Sequence, residues 1–164
     1  MRYFSVKELC VSGSHPSLVV VPKAGTTEYN NIVFLIENLL DPVRERLGQS
    51  IKVSSGYRPD KLNKAVGGSS TSNHRYGLAA DCTTGRSYAD NLKIVDSLLA
   101  TGLQYDECII EGARFDGKGK LTGCQWVHLA KKRSGNRMKF IYTVDFKTYH
   151  ALVKKQNLSY EYYK

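Results

Sequence analysis

The stretch GYRPDKLNKAVGGSSTSNHRYGLAADCTT, residues 56–84, decides how this chain is read. It is polar and glycine-rich, and no helical or alternating apolar period runs through it, so it reads as one long loop. Long ordered loops in compact chains usually carry function. The elements on either side must hold it, and their order sets the fold.

Upstream, Phe4, Leu9 and the run Ser12–Pro16 read as an irregular opening. Ile32, Leu35, Ile36, Leu39, Leu40, Val43 and Leu47 then fall on one face of a 3.6-residue period. Thr26 or Thr27 can cap this helix and Gly48 can end it, while Pro42 should kink it or split it after Leu39. Ile51–Ser55 alternates as a short strand. Downstream, a helix starts after Ser87, with Leu92, Val95, Leu98 and Leu99 on one face and Gly102 as its stop. Strands are expected at Glu107–Glu111, Gln125–Ala130 and Arg137–Val144, with a turn over Phe115–Lys120 and a final helix over Phe146–Lys155. That order argues an α+β fold over residues 1–164: a single domain with a small, mostly antiparallel sheet and helices packed on it.

The bulk numbers agree. One hundred and sixty-four residues with 41% hydrophobic and 24% charged suit one globular unit with a core of its own. No apolar run approaches a bilayer span. The first residues carry no secretory h-region, so synthesis in a cytoplasm is expected. Cys10, Cys82, Cys108 and Cys124 form no CxxC pair and read as reduced, buried thiols. The net charge of +9 is concentrated after residue 130: Lys131, Lys132, Arg133, Arg137, Lys139, Lys147, Lys154, Lys155 and Lys164 face only Asp145 and Glu161. Five tyrosines lie there too. Such a basic, aromatic segment, about 131–164, attracts polyanions (wall polymer, acidic membrane surface or nucleic acid) or is a solvated face with no partner.

Four histidines are available for chemistry, and two sit in informative places. His74 lies in the long loop, seven residues before Asp81, and His128 in the strand QWVHLA. Two imidazoles and a carboxylate suit a tetrahedral zinc site with its fourth position left to water. The same spacing also suits two ordinary histidines satisfied by local hydrogen bonds.

Further residues carry a resemblance. Ser54-Ser55-Gly56-Tyr57-Arg58-Pro59, then Leu62–Ser69, then S-x-H-x-x-G-x-A-x-D from Ser72 to Asp81, and finally Trp126-Val127-His128 resemble the D-alanyl-D-alanine carboxypeptidase family of zinc peptidases, whose fold the hedgehog signalling domain shares. Leu39–Arg44 is also similar to family members, and the likeness covers about residues 4–130. It implies one zinc ion held by His74, Asp81 and His128, and hydrolysis of a peptide bond in peptidoglycan stem peptides. Several family members place an acid three residues before the last histidine, where this chain has Gln125. Others carry a glutamate at the end of the preceding strand, which implies Glu111 as the general base, with Asp106, Glu107 and Asp116 as competitors. An antiparallel hairpin would set Glu111 beside the Trp126–His128 strand. Arg58 matches the arginine that would fork onto a substrate carboxylate or a developing oxyanion. Ser72 and Trp126 are candidate substrate contacts, though Ser72 could instead fix the ligand loop and Trp126 could simply pack.

These features fit a phage-type lysin and equally a prophage-derived or plain bacterial protein: made in the cytoplasm, monomeric, and held on anionic wall polymer or surface by its basic segment. Carboxypeptidase and endopeptidase action both fit. The alternative is a non-catalytic, zinc-containing wall-binding module, kept open by Gln125. Nucleic-acid binding ranks last, because it explains none of residues 54–128.

Overall fold

The computed structural model describes the backbone of residues 1–155 and 159–162, and side chains as far as Leu152. Its first helix begins where the Thr26 hydroxyl accepts from the Tyr29 amide at 3.3 Å. Helix α1 (Thr27–Leu35) runs through a π-helical turn, Ile36–Leu40, into α2 (Asp41–Leu47), which ends at Gly48. The helix therefore is not split after Leu39, and Pro42 sits in its continuation, just after the π-helical turn. It lacks an N–H and crowds the carbonyl four residues back. The wider turn just upstream relaxes that crowding and lets the helix continue. Ile32, Leu35, Ile36, Leu39, Leu40 and Val43 all end fully buried. Each such side chain contributes roughly 1.5–3 kcal/mol by leaving water.

Strand β1 (Lys52–Ser55), α3 (Asp60–Ala65), a 3-10 turn at Asn73–Tyr76 and β2 (Ala79–Thr83) follow. Residues 56–84, expected as one loop, thus contain a helix and a strand. Ala79-Ala80-Asp81-Cys82-Thr83 shows no alternation, because nearly all of it is buried between two neighbouring strands. Helix α4 (Tyr88–Thr101) starts where Ser87 Oγ accepts from the Asp90 amide, and Gly102 ends it. Then come β3 (Glu107–Glu111), β4 (Arg114–Phe115), β5 (Leu121–Gly123), β6 (Trp126–Ala130), β7 (Lys139–Thr143), β8 (Tyr149–Lys155) and β9 (Ser159–Tyr162). The final helix expected over Phe146–Lys155 is a strand instead. Its residues pair antiparallel with β7, and that pairing outweighs the weak helical spacing.

The sheet runs β1-β2-β6-β3-β7-β8-β9. It is antiparallel apart from β3 and β7, which are parallel. The fold is α+β, with α1, α2 and α4 packed on one face. Alternation along the strands sorts the side chains. Ala80, Cys82, Cys108, Ile110, Val127 and Leu129 point into the helical core. Asp81, Glu107, Ile109, Glu111, Trp126 and His128 point to the other face and line a cleft of about 620 Å³. All four cysteines are free and buried. Burial pushes the Cys10 thiol up to about 11 and Cys124 up to about 12. The basic segment after residue 130 is no appendage, since β7 and β8 extend the same sheet. The side chains of Lys154, Lys155, Tyr160, Tyr162, Tyr163 and Lys164 lie outside the described residues. Among the described residues, no helix is long and apolar enough to cross a membrane.

Candidate functional site

Asp81 on β2 pairs directly with His128 on the neighbouring β6, so both side chains rise from one point of the sheet. His74 arrives from the 3-10 turn above them. Ser72 caps that turn, its Oγ accepting from the His74 amide at 3.3 Å. The turn is anchored to the strand side by the Arg58 amide, which donates to the His74 carbonyl at 3.0 Å. His74 Nδ1 donates to the Gly56 carbonyl at 2.7 Å, which leaves the Nε2 lone pair aimed at the other two residues. Gly56 has to be glycine here, because a Cβ would fall on the backbone of Leu9.

His74 Nε2, Asp81 Oδ1 and His128 Nδ1 form a triangle with edges of 3.2, 3.1 and 3.0 Å. With metal–donor bonds of roughly 2.0–2.1 Å, tetrahedral geometry spaces donors by roughly 3.3 Å. One ring proton on His128 would have to serve two acceptors at once, whereas a cation satisfies all three atoms. The donor set therefore fits zinc. Burial lowers the His74 pKa and keeps its imidazole neutral, as a ligand must be. Burial alone would raise the Asp81 carboxyl, but the hydrogen bond from His128 holds it well below the usual carboxylate range.

The surrounding residues fix this triangle. Arg58 Nη2 binds Asp81 Oδ2, leaving Oδ1 for the centre, and Arg58 Nε donates to Ser55 Oγ at 2.7 Å. His128 Nε2 is buried with no hydrogen-bond partner, and Glu107 Oε2 lies 3.8 Å from it. A carboxylate behind a metal-binding imidazole orients the ring and raises its basicity. Asn73, next to His74, donates to Asp106 Oδ2 at 2.9 Å and to Glu107 Oε2 at 3.2 Å.

The four acids weighed as general base separate cleanly. Asp116 accepts from the Lys118 and Lys120 amides and holds a turn. Asp106 is fully buried and bound by Arg137, Lys132 and Asn73. Burial would raise its pKa, but those donors bring it well below the usual range. Glu107 is held by Arg137 and Lys139. Glu111 sits opposite Trp126 in the cleft, 8% exposed, and its Oε2 has no partner. Burial pushes its pKa up to about 7, with His128 and Asp81 acting in opposite directions. Gln125 is turned away and lines a separate depression with Thr83, Arg86 and Asn91.

Ser72 and Trp126 both line the cleft. Trp126 is stacked on Phe146, centroids 5.0 Å apart and planes 9° apart. Phe146, Arg137, Lys139 and Tyr149 also line it, and none of the four was singled out from the sequence as a site residue. All come from β7, β8 and the flanking turns, and only their basic and aromatic composition marked them.

An antiparallel-sheet α+β fold that presents a buried His-Asp-His triangle beside an acid in an open cleft defines a metallopeptidase-type site. The Peptidase M15 family model matches residues 2–130, and the chain belongs to that family of metal-dependent, typically zinc, peptidases. No curated protein matched the chain.

Proposed function

We propose that the protein is a zinc-dependent hydrolase of peptide bonds in bacterial peptidoglycan stem peptides. The observation that carries this reading is the coexistence, in one cleft, of the His74–Asp81–His128 triangle and a buried, unpartnered Glu111. A zinc ion held by the triangle supplies carbonyl polarisation and a water whose pKa falls toward roughly 7. Glu111, buried in the cleft with one carboxylate oxygen unpartnered, would take a proton from the attacking water and pass it to the leaving amine. Arg58 holds Asp81 in place and contributes positive charge beside the developing oxyanion. Ser72 keeps the His74 turn in register and borders the substrate, while Trp126 supplies an apolar wall.

Carboxypeptidase and endopeptidase action both remain open to this cleft. The wall-binding alternative leaned on Gln125, which lines a separate depression, whereas Glu111 supplies an acid within the cleft. In our reading the protein is a monomer made in the cytoplasm that acts at the wall after lysis, as phage lysins do. The basic segment attracts anionic wall polymer, although Lys132, Arg137 and Lys139 are engaged by Asp106 and Glu107. Nucleic acid is not a proposed partner. The test is mass spectrometry of purified muropeptides incubated with the protein, with and without a chelator. A chelator-sensitive product supports the reading, and its mass names the bond. No product from several wall types, with zinc bound, refutes it.

A further inference from the structure

The family match ends at residue 130, yet the cleft does not. Its far wall is β7, which joins the sheet parallel to β3 in the register Glu107↔Lys139 and Ile109↔Ile141. Ile109 also faces His128 across β6, so His128, Ile109 and Ile141 mark the level of the metal triangle. Lys139 lies two residues along β7 from that level and on the same face, a displacement of roughly 7 Å. An extended peptide advances about as far in two residues.

The charges at that end are unequal. Lys132, Arg137 and Lys139 meet two carboxylates, Asp106 and Glu107. Asp106 is buried and absorbs Arg137 and Lys132 at 2.6 and 3.2 Å. Glu107 Oε1 takes Arg137 at 2.9 Å, and Lys139 reaches it only at 3.6 Å. The other Glu107 oxygen is turned to Asn73 and His128. Lys139 therefore borders the cleft with its side chain 44% exposed and one long, shared contact. At the metal level the cleft is lined by buried Ile109 and Ile141, which offer a substrate no competing hydrogen bonds, while Glu107 stands beside Lys139 in the register.

We propose that Lys139, whose one ion-pair contact among the described residues is the long one to Glu107, forms a subsite for a carboxylate carried by the substrate two residues from the scissile bond, and so selects stem peptides with a free acid there over their amidated counterparts. This rests on the peptidase reading for the identity of the substrate. A compact ammonium in a half-buried setting gains a charge-assisted hydrogen bond from a carboxylate that a neutral amide cannot match. The segment that carries Lys139 lies beyond residues 2–130, the range of the family match.

The experiment uses zinc-loaded full-length protein and synthetic stem peptides that are identical except for a free or amidated carboxyl at the glutamyl or the diamino-acid position. Both kcat/KM and, with the Glu111→Gln variant, the dissociation constant are measured. The wild-type chain should favour the acid at one position by about tenfold. Lys139→Met should bring the acid-to-amide ratio to within about twofold, and Lys139→Arg should restore it. Equal handling of acid and amide by the wild type, or a preference that survives Lys139→Met, would overturn the subsite. Acid preference in binding without hydrolysis of any peptide would instead refute the peptidase reading and leave the subsite standing.

Discussion

The two walls of the cleft are built on opposite principles. On the β2–β6 side, the residues that carry the triangle are held by short hydrogen bonds: Gly56 carbonyl on His74, Arg58 on Asp81, Ser72 on the turn. On the β7–β8 side, side chains are exposed, loosely paired and drawn from beyond the family match, as Lys139, Phe146 and Tyr149 are. A metal triangle tolerates displacements of only a few tenths of an ångström, so its supports must be over-determined. A selecting wall needs only charge and shape at the correct level. The first wall defines the chemistry, and the second adapts it.

The largest effects are therefore expected on the first wall. His128→Ala should abolish zinc binding and lower turnover by about 10³-fold or more. Glu111→Gln should keep one zinc per chain and still lose about 10² to 10⁴ in kcat. Metal analysis beside muropeptide turnover separates the two. A Glu111→Gln variant that retains activity would return the base to the other acids. Substitutions on the second wall should leave zinc content alone, and any that emptied the site would erase the distinction between the walls.

Next comes a buried charge cluster that joins the walls. Asp106 links Asn73, beside His74, to Arg137, two residues before β7. Asp106→Ala removes an acceptor from Asn73 and a carboxylate from the partly exposed Arg137 and Lys132, and should cost about 1–3 kcal/mol in urea unfolding. A loss below about 1 kcal/mol would mean that the walls are independent.

How much of this was legible from the sequence depends on the kind of signal. His74, Asp81 and His128 stand in a spaced motif, and caps at Thr26 and Ser87 announced helices that exist. Glu111 was reached through the family resemblance, with an antiparallel hairpin expected to set it beside the Trp126–His128 strand, and the register pairs it with Trp126. Strand β2 could not be read, since small residues buried on both faces leave no period. Nor could β8, whose Tyr149–Lys155 run supports either spacing until β7 lies beside it. The parallel pairing of β3 and β7 is a non-local choice that no short window contains. Without it, Lys139 cannot be assigned to the cleft at all.

A comparable effect is expected from pH, in metal-free protein. Glu111 titrates at about 7 against an ordinary 4.5. A raised acid is stabilising relative to its ionised form only below the unfolded value, so stability falls as pH climbs from 4.5 through 7. The fall should be about 3 kcal/mol. Unfolding of the wild type compared with Glu111→Gln isolates this group. The difference should decline across that window and flatten above it, and a flat difference throughout would show that Glu111 is solvated like a surface acid.

The finest test lies on the second wall. Phe146 holds φ at +62°, a left-handed conformation that a bulky residue adopts at a cost of about 1–3 kcal/mol. Two features keep it there. Asp145 Oδ1 accepts from the Lys147 and Thr148 amides at 2.9 and 2.8 Å, closing the turn. Gly112, itself at φ +62°, makes room, since a Cβ there would meet the Phe146 ring at 2.9 Å. The return is the stack on Trp126, worth about 0.5–1.5 kcal/mol. Phe146→Ala loses the stack and keeps the strain, so it should destabilise by about 1 kcal/mol. Phe146→Gly loses the stack but relieves the strain, so it should come out near the wild type despite being the smaller residue. If glycine proves the worse of the two, the backbone is not strained and the aromatic shelf is ordinary packing. If alanine is worse, the second wall holds Phe146 against its own preference so that an aromatic face meets whatever enters the cleft.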